Sequence, residues 1–179
     1  YDANDRLIRE QTSQGATTTV TTYEYDANGN TVAKLTGLSA TLYVYDAENR
    51  LVEVKRGPDA QSAQTVASYA YDGNGNRVTK AEPTTEGLKV TTFLVDENQQ
   101  HAQVREERAA AVGQPAQVTV TYVYGDDLLN QIRAGQRTYY HYDALGSTMA
   151  LTDGAGNLTD TYRFEAFGNI AEQTGNTPN

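Results

Sequence analysis

Tyr23-Glu24-Tyr25-Asp26-Ala27-Asn28-Gly29-Asn30 is the stretch whose reading decides the fold. Two aromatic residues two positions apart put both rings on one face of a β-strand. Asp26 can then leave the strand and bond its own backbone, and Asn28-Gly29 supplies the positive φ of a tight hairpin turn. Asn30-Thr31-Val32-Ala33-Lys34-Leu35 alternates as a second strand, so the unit is a β-hairpin.

The pattern returns along the chain. Tyr43-Val44-Tyr45-Asp46 precedes Ala47-Glu48-Asn49-Arg50, and Tyr69-Ala70-Tyr71-Asp72 precedes Gly73-Asn74-Gly75-Asn76. Tyr140-His141-Tyr142-Asp143 precedes Ala144-Leu145-Gly146-Ser147. Weaker copies are Phe93-Leu94-Val95-Asp96, Tyr122-Val123-Tyr124-Gly125 and Tyr162-Arg163-Phe164-Glu165, and the chain opens on half a copy, Tyr1-Asp2. The second aromatic position, or its replacement, recurs every 18 to 29 residues, a repeat signature. Gly57-Pro58-Asp59 and Glu82-Pro83-Thr84 read as linkers between hairpins. About seven hairpins predict about fourteen strands, and an open sheet beyond about ten must twist, curl or split. Residues 105–116, Arg-Glu-Glu-Arg-Ala-Ala-Ala-Val-Gly-Gln-Pro-Ala, have no apolar stripe and read as an enlarged loop.

Composition agrees with an all-β chain. Leu, Ile, Val and Phe make only 32 of 179 residues, a level found in disordered chains, but a net charge of −9 is small for that length. Thirteen Tyr replace part of the missing apolar mass and favour half-buried strands. The acidic balance argues against nucleic acid as a partner and against docking on an anionic membrane. No apolar run is long enough to cross a bilayer as a helix. With no Cys, disulfides and thiolate chemistry are excluded, and two His leave little for zinc. Position 1 is not Met and no leader is visible, so the chain is expected to be a stretch of a longer protein.

The remaining constellations favour structure over chemistry. Asp72-Gly73-Asn74-Gly75-Asn76 resembles the start of a calcium loop, but Arg77 and Pro83 stand where Gly and Glu are needed. Asp26-Ala27-Asn28-Gly29-Asn30 fails likewise, with Thr31 at the Gly position. His141 near Asp143 and Ser147 suggests a triad, but nothing here reads as a nucleophile elbow, and a hydrogen-bonded structural His is expected. Asp126-Asp127 and Glu106-Glu107 are adjacent, so in a strand they face opposite sides rather than one bond. Gly154-Ala155-Gly156-Asn157 is a turn without the Lys of a phosphate loop. No catalytic residue, cofactor or metal site is expected. Tyr23, Tyr25, Asp26, Gly29, Tyr43, Tyr45, Asp46, Tyr69, Tyr71, Asp72, Gly75, Tyr140, His141, Tyr142, Asp143, Gly146 and Ser147 are the residues that define the repeat.

Tyr-Asp, a Gly/Asn turn, then Arg/Asn and Leu/Val at this spacing resembles the Rhs/YD-repeat family of bacterial polymorphic-toxin shells, related to the YD shells of Tc toxins and teneurins. His141-Tyr142-Asp143-Ala144-Leu145-Gly146-Ser147 is similar to a block late in the bacterial repeat region, and Tyr162-Arg163-Phe164-Glu165-Ala166-Phe167-Gly168-Asn169 to the unit after it, placing 139–170 late in the repeats. The resemblance implies a curved, solenoid-like β-strip: a non-enzymatic piece of the wall of a cage that encloses a C-terminal toxin for interbacterial competition or insect killing. It implies as partners the remaining YD repeats of the parent chain and the enclosed toxin domain, in a secreted or cell-surface bacterial protein. Neither the self-cleavage segment of the family nor the toxin is expected within 1–179. The alternative is a cell-surface adhesion module that binds glycans or a protein through its tyrosine faces.

Overall fold

The structure, a computed structural model, describes residues 1–110, 113–166 and 168–178. Among the described residues there are fifteen strands, one more than expected, and no helix. The strand pairs with a described register are all antiparallel, because each strand returns on its predecessor through a turn. The chain divides into two units, one built mainly on Tyr1–Thr92 and one on Phe93–Ala109 and Ala116–Asn179.

The first unit contains β1 (Arg9–Gln14), β2 (Thr17–Tyr25), β3 (Thr31–Thr36), β4 (Ser39–Tyr45), β5 (Leu51–Gly57), β6 (Gln64–Tyr71), β7 (Arg77–Thr84) and the start of β8 (Gly87–Asp96). Neighbours in sequence are neighbours in the sheet. Tyr23 lies opposite Lys34 and Lys34 opposite Thr41, two residues before Tyr43. Tyr43 lies opposite Val54 and Val54 opposite Ala67, two residues before Tyr69. Cross-strand partners and i, i+2 neighbours share a face, so Tyr23, Tyr43 and Tyr69 stand on one side of this sheet. Ala33, Ala40, Val54 and Ala67 are its buried apolar residues. All four are small.

The second unit contains β9 (Gln103–Ala110), β10 (Gln117–Tyr124), β11 (Leu128–Arg133), β12 (Gln136–Tyr142), β13 (Thr148–Asp153), β14 (Leu158–Phe164) and β15 (Ile170–Thr174). Its register also follows chain order. Tyr122, Gln131, Thr138 and Asp153 are successive partners, and Tyr140, Leu151 and Asp160 form the next row on that face. Val120, Gln131, Leu151 and Asp160 are each at most 1% exposed, so this face is the buried one.

One irregularity repeats at the same place. The register slips between Glu24 and Tyr25, Val44 and Tyr45, Ala70 and Tyr71, Val123 and Tyr124, His141 and Tyr142, and Arg163 and Phe164. The extra residues on the returning strands are Val32, Val52, Val78, Leu129, Met149 and Ala171. Each bulge bends the pair locally and re-aims the aromatic residue before the turn.

Two expectations are corrected. Residues 105–110 belong to strand β9 rather than a loop. Arg105 lies over the Tyr124 ring at 5.5 Å, Glu107 accepts the Tyr122 hydroxyl at 2.7 Å, and Arg108 pairs with Glu106 at 2.9 Å. A charged strand needs no apolar stripe when its partners lie beside it in the sheet. Residues 111 and 112 of that stretch lie outside the described residues, as does Phe167. The second correction is that Glu82-Pro83-Thr84 ends strand β7 and is not a linker. Pro83 faces Leu88, next to the closing Thr84–Gly87 pair, while the register with β6 ends at Ser68–Ala81. The missing N–H of proline is tolerated there because it points away from β8.

The turns set a conformational demand that can be tested. Gly75 has φ +86° whereas Gly73 has no positive φ, and neither position is crowded. Gly75→Ala is expected to cost about 1 kcal/mol or more in chemical denaturation, the left-handed penalty of an L-residue. Gly73→Ala is expected to be neutral or to stabilise by about 0.5 kcal/mol.

Candidate functional site

The conserved geometry of the repeat is built on one carboxylate. In the turns starting at Asp2, Asp26, Asp46, Asp72, Asp143 and Asp153, the backbone N–H of Asp donates to the carbonyl four residues on, at 3.0 Å each time. The N–H three residues on donates back to the Asp carbonyl at 3.1–3.2 Å. Oδ1 of each Asp accepts the N–H groups two and four residues on, at 2.8–3.0 Å. Oδ2 then takes a side-chain donor from the fourth residue: Arg6 Nε at 2.6 Å, Asn30 Nδ2 at 2.9 Å, Arg50 Nε at 2.8 Å, Asn76 Nδ2 at 3.1 Å and Asn157 Nδ2 at 2.9 Å. Gly29, Gly75 and Gly146 hold the left-handed third position, which Asn49 fills in the Asp46 turn with φ 60°. Glu165 keeps the backbone bonds of the turn to Asn169 and Gly168, both at 2.9 Å.

These bonds favour the ionised carboxylate. The backbone N–H of Arg50 holds Asp46 below the usual carboxylate range, and that of Arg6 does the same for Asp2. The Asn30 and Asn157 amides lower Asp26 and Asp153. A carboxylate committed to two or three donors of its own turn has little left for a metal cation. Among the described residues no group of three or more His, Asp or Glu could hold a metal ion.

The second tyrosine of a unit reaches back to the unit before it. Tyr25 donates its hydroxyl to the Leu7 carbonyl at 2.9 Å, Tyr71 to Leu51 at 2.8 Å and Tyr142 to Leu128 at 2.8 Å. The turn arginine of the earlier unit covers the same ring: Arg6 lies 4.9 Å from the Tyr25 centroid and Arg50 5.1 Å from Tyr71. Arg50 also donates to the Asp72 carbonyl at 3.4 Å. Between the Asp26 and Asp46 turns, the Asn28 and Asn30 amides both donate to Asn49 Oδ1 at 2.9 Å. Within the first unit the turns are therefore linked in series along one end of the strands.

The first tyrosine works laterally. Tyr23 carries Lys34 over its ring at 5.7 Å and donates to Glu10 at 2.7 Å. The Glu10 bond, then burial, pushes the Tyr23 hydroxyl up to about 12. Arg77 lies 5.3 Å from the Tyr69 ring, and burial raises Tyr45. In the second unit Tyr140 and Tyr142 stack with centroids 6.3 Å apart, and burial pushes Tyr140 up to about 12. His141 bonds Thr152 Oγ1 at 2.9 Å, while Asp143 receives the N–H groups of Leu145 and Ser147. Asp143 and Ser147 are thus joined through the backbone of their own turn, while His141 is bonded to Thr152. Sequence reading missed Asp153 as a turn centre because no tyrosine pair precedes it. Asp with Gly at +3 and Asn at +4 was the available signal. It also took Asp2 as half a copy, whereas Asp2 to Arg6 is a full turn.

The geometry defines a β-hairpin repeat protein whose units are coupled through aspartate-organised turns. The chain carries repeats of the Rhs/YD type: residues 1–40 match the RHS Repeat model. It is 33% identical over 148 residues to the tRNA3(Ser)-specific nuclease WapA of Bacillus spizizenii, a match covering 81% of this chain and 6% of that protein. The tRNA nuclease WapA of Bacillus subtilis strain 168 is 34% identical over the same length, again 6% of its chain. Among solved structures, TcdB2-TccC3 without its hypervariable C-terminal region and the Photorhabdus luminescens Tc holotoxin pore match at TM-score 0.31 and 13% identity, over 84% of this chain and 11% of theirs. The chain spans a small fraction of the length of each relative.

Three outcomes follow from the turns and rings. Tyr71→Phe removes one hydroxyl bond to the preceding unit and is expected to cost about 1 kcal/mol in chemical denaturation. The depressed carboxyls mean that the unfolded chain binds more protons in acid. Stability is therefore complete above about pH 4 and falls as pH drops through the native values, and Asp46→Asn should flatten that acid limb. Tyr23 is raised, so its contribution is complete below about pH 10 and lost as pH climbs towards about 12. Absorbance titration of phenolate in the parent and Tyr23→Phe chains should show one late-titrating group disappear.

Proposed function

We propose that this chain is a non-enzymatic wall segment of an Rhs/YD-repeat shell that encloses a C-terminal toxin, in a secreted or surface-displayed bacterial protein. The observation that carries this reading is the serial coupling Asp46–Arg50–Tyr71, closed by the Tyr71 hydroxyl on the Leu51 carbonyl. It joins one hairpin to the next without a thick core, which suits a thin wall. The same bonds occupy the groups that chemistry or sugar stacking would require. The Asp carboxylates serve their turns, the tyrosine rings carry Arg6, Arg50 and Lys34, and His141 is held by Thr152. This favours a structural role for the repeat-defining residues over a glycan-binding one. The partners are then the other repeats of the parent chain and the enclosed domain. Nucleic acid and membrane are not partners of this segment, in keeping with a net charge of −9. The nuclease activity named for the WapA relatives supports a toxic cargo, and such an activity would reside outside these repeats.

Limited proteolysis of the parent protein tests the shell. The domain C-terminal to the repeats should resist cleavage, and Arg50→Ala combined with Tyr71→Phe should expose it at least tenfold faster. Equal cleavage in parent and variant would remove the shell reading. Saturable glycan binding lost on Tyr43→Ala would put the adhesion reading in its place.

A further inference from the structure

Two turns of the first unit close on a guanidinium. Arg6 donates Nε to Asp2 Oδ2 at 2.6 Å and lies 4.9 Å from the centre of the Tyr25 ring. Arg50 donates Nε to Asp46 Oδ2 at 2.8 Å, lies 5.1 Å from the Tyr71 centre and reaches the Asp72 carbonyl at 3.4 Å. In both cases the arginine is the fourth residue after the aspartate, and the ring ends the second strand that follows it.

The turn at Asp143 repeats every part of this arrangement except the arginine. Phe164 ends β14, the second strand after Asp143, and Glu165 follows it as Asp72 follows Tyr71. The fourth residue is Ser147, whose side chain is too short to cover a ring. Asp143 accepts the Leu145 and Ser147 N–H groups on Oδ1 at 2.8 and 2.9 Å, and its Oδ2 takes no donor among the described residues. Nor does a cation lie over the Phe164 ring among them. The residues outside the described set, Ala111, Val112, Phe167 and Asn179, carry no cation in their sequence.

An open cavity of about 570 Å³ occupies that place, lined by Asp143, Leu145, Ser147, Met149, Phe164 and Glu165, among others. Leu145 is 91% exposed and Met149 38%, so apolar surface stands beside the acid. Arg163 also borders the cavity, but its guanidinium pairs with Glu172 at 2.7 Å. What is left is two carboxylates, one ring and an apolar wall. That set matches an arginine side chain, a planar cation that stacks on a ring while it bonds a carboxylate, on an aliphatic stem that covers apolar surface. A lysine ammonium is a compact, strongly hydrated point charge and uses the same set less fully.

We propose that the Asp143–Phe164 cavity is a subsite for the guanidinium of an arginine side chain on another polypeptide, seated between carboxylate and ring as Arg50 is between Asp46 and Tyr71. The incoming arginine takes the place of the one that the repeat lacks at position 147. A contact that elsewhere joins two turns of this chain then joins the chain to a partner. The subsite stands on the turn geometry, so it and the shell reading can fail independently.

A capped Gly-Arg-Gly peptide titrated into the full chain tests it, followed by NMR on the Leu145 and Ser147 amides that Asp143 holds. A saturable shift in the millimolar range is expected, with capped Gly-Lys-Gly binding at least about threefold more weakly. Asp143→Asn should weaken the arginine peptide about tenfold, and Ser147→Arg should abolish its binding by filling the subsite from within. The Glu48 and Arg50 amides of the filled Asp46 turn should not move. The lysine comparison uses the unaltered protein, so it holds even if a variant misfolds. No saturable shift, equal binding of the two peptides, a matching shift at Glu48 and Arg50, or undiminished binding to Ser147→Arg would overturn the proposal.

Discussion

The structure depends on a carboxylate that binds the backbone of its own turn. A hairpin turn leaves N–H groups pointing inward with no strand opposite them, and an unmet donor is costly. The aspartate Oδ1 meets two of them and Oδ2 captures the side chain four residues on. That fixes where the returning strand starts and puts the bulge residue, Val32, Val52 or Val78, six positions after the aspartate. Register in a sheet is otherwise weakly specified when both faces are half wet. Here the turn specifies it at the aspartate-centred repeats.

From that fixed start the tyrosines become couplers. A strand held in register brings the second ring under the arginine of the preceding turn and its hydroxyl onto a carbonyl of the adjacent strand. Each contact is modest, a cation over a ring and one hydrogen bond, and each recurs with the repeat. The result is stability distributed along the sheet and not concentrated in a core. The buried apolar residues agree: three alanines and one valine in the first unit, few and small. A protein held this way can lengthen by adding units, because every unit brings the groups that attach it to its neighbour. The second unit departs from this pattern by burying polar residues, Gln131 and Asp160, under a segment that crosses its tyrosine face.

The hairpins, their order and the role of the aspartates were legible in the residues because every bond of the turn closes within five positions. A pattern such as Tyr-x-Tyr-Asp with Gly three residues later contains all the groups the turn uses. The Arg50 to Tyr71 contact was not legible, because 21 residues separate the partners and loop length sets which turn lies beside which ring. Strand β9 was misread for a related reason. Arg105 and Glu107 have no apolar periodicity of their own, and the rings and hydroxyls that accept them belong to β10.

The sequence by itself therefore determined the repeat, the all-β class and the turn chemistry, since these are written in contacts between near neighbours. Only the tertiary structure decided which tyrosine meets which cation and that charged residues complete a strand. It alone showed that Asp160, Gln131 and Pro178 converge on one face. Those outcomes rest on distances between residues 8 to 47 positions apart, and such distances follow from strand register and loop length, which no local pattern encodes.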